Sequence, residues 1–197
     1  FHKSNQGRGQ TVKDGILESQ GEYTGFMDID CEVSPKYINA CLEKLRQGYD
    51  IVCGQRYYKT DLKGLLRAVT SKVYSLLMRL MLNSKLLDTE AGYKFFNREK
   101  FLSIIPEVKD KHWFWDTEVM VRSEFKGFKI AFLKVEFNRR TDKTSTVNLL
   151  HDSIIYVKRL LEFRRDLKKH LVISNKEKII DHYWQEKSSA FTGQYST

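Results

Sequence analysis

Short apolar runs of strand spacing alternate along this chain with longer stretches of helical spacing, and that alternation predicts an α/β sandwich. Two observations support it. Helix start and stop residues, Ser34-Pro35, Gly48, Pro106 and Gly127, stand between the stretches. The 197 residues, 41% of them apolar, suffice for one domain with a sizeable core and are too few for two large ones. Ligands in open α/β sheets bind beyond the carboxyl ends of strands. The carboxylates of Asp28 and Asp30 fall at such an end.

The elements follow in order. Asn5 to Gln10 is a glycine-rich loop, and Thr11 to Gln20 is compatible with a helix carrying Val12, Ile16 and Leu17 on one side. Glu22 to Met27 reads as a short strand. Ser34 is suited to cap a helix and Pro35 to open it, with Ile38, Cys41, Leu42 and Leu45 as its apolar stripe and Gly48 as its stop. Asp50 to Gly54 reads as a buried strand. Lys63 to Asn83 reads as a long helix whose stripe is Leu62, Leu66, Val69, Val73, Leu77 and Leu80, widened by Leu65 and Leu76. Leu86 to Phe96 mixes loop and strand, Arg98 to Ile105 is a short helix, and Asp116 to Phe125 is another. Phe128 to Phe137 has apolar residues at both parities, so this strand is either buried on both faces or bent. Val147 to Leu171 predicts a second long amphipathic helix, with Val147, Leu150, Ile154, Val157 and Leu161 marking its apolar side. Beyond about residue 174 the composition turns polar, as in a linker or the start of a further region.

The formal net charge of +9 favours anionic partners, whether nucleotide phosphates, lipid headgroups or nucleic acid. Cys31, Cys41 and Cys53 lack zinc-site spacing and read as free thiols of a reducing compartment. No apolar run approaches the roughly 20 residues of a membrane span.

Two local patterns carry chemistry. Asp28 and Asp30 are two apart, and in extended backbone such side chains share a side, so both carboxylates can converge on a hard cation. Mg2+ or Mn2+ held there beside a diphosphate would offset the charge that develops on a leaving nucleotide, and Glu32 at the next alternate position could add a ligand. The same spacing also suits a solvated acidic turn. Gly7-Arg8-Gly9 ahead of a helix either presents backbone N–H groups and a guanidinium to phosphate or forms an ordinary turn.

The patterns occur in a recognisable order. Asn5-x-Gly7-Arg8-Gly9, a helix, Gly21-Glu22-Tyr23 and Phe26-Met27-Asp28-Ile29-Asp30 resemble family 2 glycosyltransferases, most of all the polyprenyl-phosphate (dolichyl-phosphate) mannosyl- and glucosyltransferases. Gly54-Gln55-Arg56 resembles their G-S-R segment, and Asp88 to Lys94 their D-x-x-S-G-F-R. Phe114 to Glu118 with Lys126 to Ile130 resembles their F-D-x-E and K-x-G-[YF]-x-I, and Arg140 to Ser145 falls where they carry R-x-x-G-x-S-K. The resemblance implies a GT-A fold (a Rossmann-like α/β sandwich), a UDP- or GDP-hexose donor, a divalent metal and a polyprenyl-phosphate acceptor. It spans residues 1–150. The family's opening V-V-I-P-x-Y-N-E strand and base pocket are not in this chain, so an N-terminally truncated catalytic domain is expected, and the resemblance does not imply activity for the fragment alone.

The resemblance also assigns roles. Asp28, Asp30 and Glu32 would hold the metal and diphosphate. Gly7, Arg8 and Gly9 would line the donor side, Arg56 and Arg67 would face phosphate charge, and Arg140 with Ser145 would close over the acceptor. Lys143 and Thr146 depart from the family's Gly and Lys in that loop. Asp88 and Glu118 stand at catalytic positions. An acceptor hydroxyl needs a carboxylate base, for which Asp116 or Glu118 would serve, whereas an acceptor phosphate needs only orientation and charge screening, and these acids would then orient Arg or Lys groups.

Residues 151–173, with Lys158-Arg159, Arg164-Arg165 and Lys168-Lys169, fit either an interfacial helix on an anionic membrane or a packed helix with a solvated basic face. His112, Trp113 and Trp115 read as core or acceptor-loop residues. The expectation is a cytoplasmic enzyme, peripheral on the cytosolic face of a membrane. The same fold acting on a sugar hydroxyl is the alternative. A non-catalytic basic module for nucleic acid is the remote one, since no RNP, zinc-finger or helix-turn-helix signature is present and nucleic acid is not an expected partner.

Overall fold

A computed structural model describes residues 2–58, 62–138 and 154–169, with the side chains of 58 and 62–71 outside the described set. The chain divides into two compact units, Phe1–Asp152 and Ser153–Thr197.

In the first unit, β1 (Tyr23–Met27), β2 (Ile51–Tyr58), β3 (Tyr93–Asn97) and β4 (Ile130–Phe137) form one sheet of order β1-β3-β2-β4. β3 runs antiparallel to β1 and β2, while β4 runs parallel to β2. β1, β2 and β4 therefore point one way, and their carboxyl ends share a sheet edge with the start of β3. The helices are α1 (Arg8–Glu18), α2 (Ile38–Arg46), α3 (Leu62–Leu82), α4 (Arg98–Ile104) and α5 (Trp115–Phe125).

β3 explains the sandwich. Tyr93, Lys94, Phe95 and Phe96 are all buried, as a central strand covered on both faces requires. Tyr93 and Phe95 join Val33, Cys41, Leu45, Val52, Ala131 and Val135 in the core under α2. Phe96 points the other way, 4.8 Å from the Phe101 ring of α4 and 6.3 Å from the Phe26 ring. Trp115 of α5 closes this second core, 5.9 Å from Phe26. In β4, Ala131, Leu133, Val135 and Phe137 face the α2 core, while Ile130, Phe132 and Glu136 are half-buried on the other side, so both parities are partly covered.

Local sequence explains the helix ends. Ser34 Oγ accepts the Lys36 N–H at 3.3 Å, but the turn it caps, Pro35–Tyr37, is a 3-10 turn and α2 begins at Ile38. Asn97 Oδ1 accepts the Lys100 N–H at 3.1 Å and caps α4. α1 begins at Arg8, not Thr11, because the glycine-rich segment is already its first turn.

Two helical faces differ from expectation. On α3, Val73, Leu76, Leu77 and Leu80 (73% exposed) face solvent, whereas Met78 and Leu82 are buried. α3 carries apolar residues around more than one face, and the Tyr74 hydroxyl, 2.9 Å from Thr117 Oγ1 of α5, belongs to the packed one. Residues 154–169 of the second unit form a helix, α6, that buries Leu160, Phe163 and Leu167. The expected stripe of Ile154 (71% exposed), Val157 and Leu161 is open, as are all six basic side chains. No helix among the described residues is long and apolar enough to cross a membrane. The three cysteines are unpaired, and burial pushes the Cys41 and Cys53 thiols up to about 12.

Phe96 is fully buried between the rings of Phe26 and Phe101. Phe96→Ala should therefore lower stability by about 3–5 kcal/mol, read from the urea midpoint with an unchanged m-value.

Candidate functional site

A cavity of about 250 Å³ opens at the edge where β1, β2 and β4 end and β3 begins. Its wall includes Arg8, Asp28, Asp30, Glu32, Arg56, Glu90, Gly92 and Trp113. Asp28 and Asp30 come from the segment after β1, Arg56 from the end of β2, and Glu90 and Gly92 from the approach to β3.

The two motif aspartates do not lie on extended backbone. The Cys31 N–H donates to the Asp28 carbonyl at 3.1 Å, making a turn that leaves Ile29 96% exposed and puts Cys31 at φ 54. The Asp30 carboxylate accepts the Glu32 N–H at 3.3 Å. Asp28 and Asp30 thus share the cavity through a turn rather than strand alternation. Glu32 lies on the same wall, but among the described residues no three His, Cys, Asp or Glu side chains gather as a ready metal cage. The oxygen donors of Asp28 and Asp30 suit a hard divalent cation that takes its remaining ligands from phosphate and water.

Asp28 is held from two sides. Its N–H donates to the Gly92 carbonyl at 2.9 Å, and its Oδ1 accepts from Arg8 Nε at 3.2 Å and Nη2 at 2.8 Å. A Cβ on Gly92 would lie 1.7 Å from Asp28 Oδ2, so any side chain there would displace the Asp28 carboxylate. Arg8 also donates through Nη1 to Asp116 Oδ2, and its guanidinium lies 5.4 Å from the ring centroids of both Phe26 and Trp113. Asp116 Oδ1 accepts from Lys94 Nζ at 2.6 Å, and Lys94, 0% exposed, also donates to the Ala91 carbonyl. Burial works to lower the Arg8 pKa, but the charges of Asp116 and Asp28 outweigh it and raise it.

Arg56 grips Asp88 in a fork, with Nε to Oδ2 and Nη2 to Oδ1 both at 2.9 Å. Burial acts to raise the Asp88 pKa, and the Arg56 charge and hydrogen bonds overcome it, so the carboxyl sits below its ordinary value. Glu90 behaves oppositely. Burial pushes its carboxyl up to about 7; Arg56 opposes the rise, and Asp88 and Asp116 add to it.

Several sequence-assigned residues occupy other places. Gly7 and Gly9 are packing glycines: a Cβ would come within 2.3 Å of the Lys111 carbonyl oxygen at Gly7, and 2.4 Å of Trp115 Cβ at Gly9. The Gln10 N–H, at the start of α1, donates to Lys111 O at 3.0 Å. Both glycines therefore bring α1 against the Lys111–Trp115 segment and aim Arg8. Glu118 is buried and does not line the cavity. Its Oε2 accepts the N–H groups of Lys109 at 3.1 Å and Asp110 at 2.8 Å, and its Oε1 accepts Arg122 Nε at 2.9 Å and Nη2 at 2.8 Å. Asp88 stands behind Arg56. Arg140, Ser145 and the Arg67 side chain lie outside the described residues. Glu90, Lys94 and Gly92, absent from the sequence assignment, build the site with Asp116; all but Asp116 sit in the Asp88–Lys94 segment that signalled the β2–β3 side.

The Glycosyl transferase family 2 model matches residues 1–104. Glycosyltransferase AglD of Haloferax volcanii is 32% identical over 156 residues, covering 77% of this chain and 25% of that protein. The dolichyl-phosphate beta-glucosyltransferase of Dictyostelium discoideum is 28% identical over 144 residues, covering 68% of this chain and 44% of its own length. The chain thus spans less than half of each of these relatives. Mycobacterium tuberculosis glucosyl-3-phosphoglycerate synthase, solved with Mn2+, UDP and glucosyl-3-phosphoglycerate, aligns with a TM-score of 0.58 at 16% identity over 81% of this chain and 55% of that one, a likeness of fold.

Asp116→Asn removes the counter-charge of the fully buried Lys94 and should cost about 3–5 kcal/mol by urea denaturation. Adding Lys94→Met to that variant should restore part of the loss. Glu90 yields a pH test in ligand-free, metal-free buffer. Its folded pKa stands above its unfolded one, so its contribution is complete below about pH 4.5 and is lost as pH rises through about 7. Glu90→Gln should abolish that decline, on the order of 3 kcal/mol between pH 4.5 and 7.5, measured by thermal unfolding.

Proposed function

The chain belongs to glycosyl transferase family 2 and has the GT-A type of fold, and from that premise we propose that it carries the metal and acceptor sides of an inverting hexosyltransferase. The donor is a UDP- or GDP-hexose, and the acceptor is a polyprenyl phosphate. The observation that carries the acceptor assignment is the state of the α5 carboxylates. Asp116 is bound by Lys94 and Arg8, and Glu118 by Arg122, so neither is placed as a base. An acceptor phosphate is already anionic and needs orientation, not deprotonation. The relative named as a dolichyl-phosphate glucosyltransferase supports the same acceptor class.

In this mechanism an acceptor phosphate oxygen forms a bond to the anomeric carbon as the bond from that carbon to the diphosphate breaks, and the nucleoside diphosphate leaves with the electron pair. Asp28 and Asp30 would hold Mg2+ or Mn2+, which when bound offsets the leaving charge. The glucosyl-3-phosphoglycerate synthase complex with Mn2+ and UDP supports divalent-metal use in this fold. Arg8 from α1 and Arg56 from β2 both face the cavity and screen phosphate charge.

Membrane-surface contact on the cytosolic side completes the proposal. α6 exposes Ile154, Ile155, Val157 and Leu161 together with six basic side chains, the composition of an interfacial helix, and α3 exposes an apolar stripe of its own. A second reading, transfer to a sugar hydroxyl, is favoured by Glu90, whose carboxyl near pH 7 would suit a base.

Asp30→Ala in the full-length protein should cut transfer of labelled hexose to polyprenyl phosphate by about 100-fold or more, and chelation should do the same to the wild type. Transfer that persists without divalent cation would sink the metal assignment. Product formed on oligosaccharide but not on polyprenyl phosphate would establish the second reading.

A further inference from the structure

The acids around the cavity are each committed except one. Asp28 accepts from Arg8, Asp88 from Arg56, and Asp116 from Lys94 and Arg8, while Asp30 accepts the Glu32 N–H. Glu90 lies on the same wall and is half-buried. Its backbone N–H donates to Asp88 Oδ1 at 3.2 Å, but among the described residues its carboxylate makes no hydrogen bond or ion pair. Arg56, the charge that attracts it most strongly, directs Nε and Nη2 at Asp88.

A carboxylate drawn out of water without donors is costly, so a ligand that matches it must bring donors of its own. Phosphate oxygens cannot, because they are acceptors of the same charge sign; Arg8 and Arg56 serve those. Hydroxyl groups can. Trp113, 71% exposed and on the same wall, offers a ring against which the C–H face of a sugar can pack. The cavity wall thus carries both cations suited to phosphates and a donor-seeking carboxylate and an aromatic ring suited to a polyol.

We propose that Glu90 binds the hexose of the nucleotide-sugar donor, accepting hydrogen bonds from its hydroxyls, with Trp113 packing on the ring. This rests on the transferase reading and adds the residue that selects the sugar. Calorimetry on the full-length protein with Mn2+ tests it, using UDP-glucose, GDP-mannose and the bare diphosphates as probes. Glu90→Ala should weaken the preferred nucleotide sugar by about tenfold or more and leave the matching diphosphate unchanged. Glu90→Gln, which keeps an acceptor oxygen, should retain part of the affinity. Deoxy-hexose donors should bind wild type more weakly than the parent sugar and bind Glu90→Ala no differently. Equal weakening of nucleotide sugar and diphosphate would reduce Glu90 to a structural part and overturn the assignment. A fall in kcat at unchanged KM would overturn it in favour of a base. Wild-type protein that binds neither nucleotide sugar nor diphosphate would overturn the transferase reading itself, and the Glu90 assignment with it.

Discussion

Asp116 is the carboxylate on which the site is assembled. One oxygen takes the ammonium of Lys94 from β3, the other takes the guanidinium of Arg8 from α1, and the residue itself belongs to α5. Removing such ions from water costs several kcal/mol each, and attraction at hydrogen-bond distance repays this only when the remaining donors are also satisfied. Here Lys94 has the Ala91 carbonyl and Arg8 has Asp28. The arrangement fixes position more than it adds stability: Arg8, held from behind by Asp116, turns its Nε and Nη2 edge toward the first motif aspartate.

Strand direction decides what meets there. With β1, β2 and β4 running one way and β3 the other, the residues after β1, at the end of β2 and before β3 reach one edge. Asp28, Arg56 and the Glu90–Gly92 segment are far apart in sequence and neighbours on one cavity wall for that reason. The approach is close enough that Gly92 and Asp28 leave no room for a Cβ between them.

Helix geometry decides the division of labour on α5. Residues two apart on a helix are rotated by about 200°, so Asp116 and Glu118 cannot face the same cavity. Asp116 turns to the sheet and its cations, and Glu118 turns to the Lys109 and Asp110 amides and to Arg122. One carboxylate supports the site and the other anchors the segment that leads into α5.

The alternation of strand and helix, the cap at Ser34, the length of α5 and the placing of Asp28 and Asp30 at a strand end were legible in the chain, because each depends on residues close in sequence. Motif order extended that to the family. Which face of α3 and of α6 is buried was not legible, since both helices carry apolar residues on more than one side and only a packing partner chooses between them. Nor were the turn at Asp28–Cys31, the packing roles of Gly7 and Gly9, or the removal of Glu118 from the cavity. Asp28 and Asp30 thus drew their candidacy from local sequence. Their partners Arg8, Gly92, Lys94 and Asp116, and the uncommitted carboxylate of Glu90, were decided by the tertiary structure, because charge pairing and desolvation depend on distances that the linear chain does not contain.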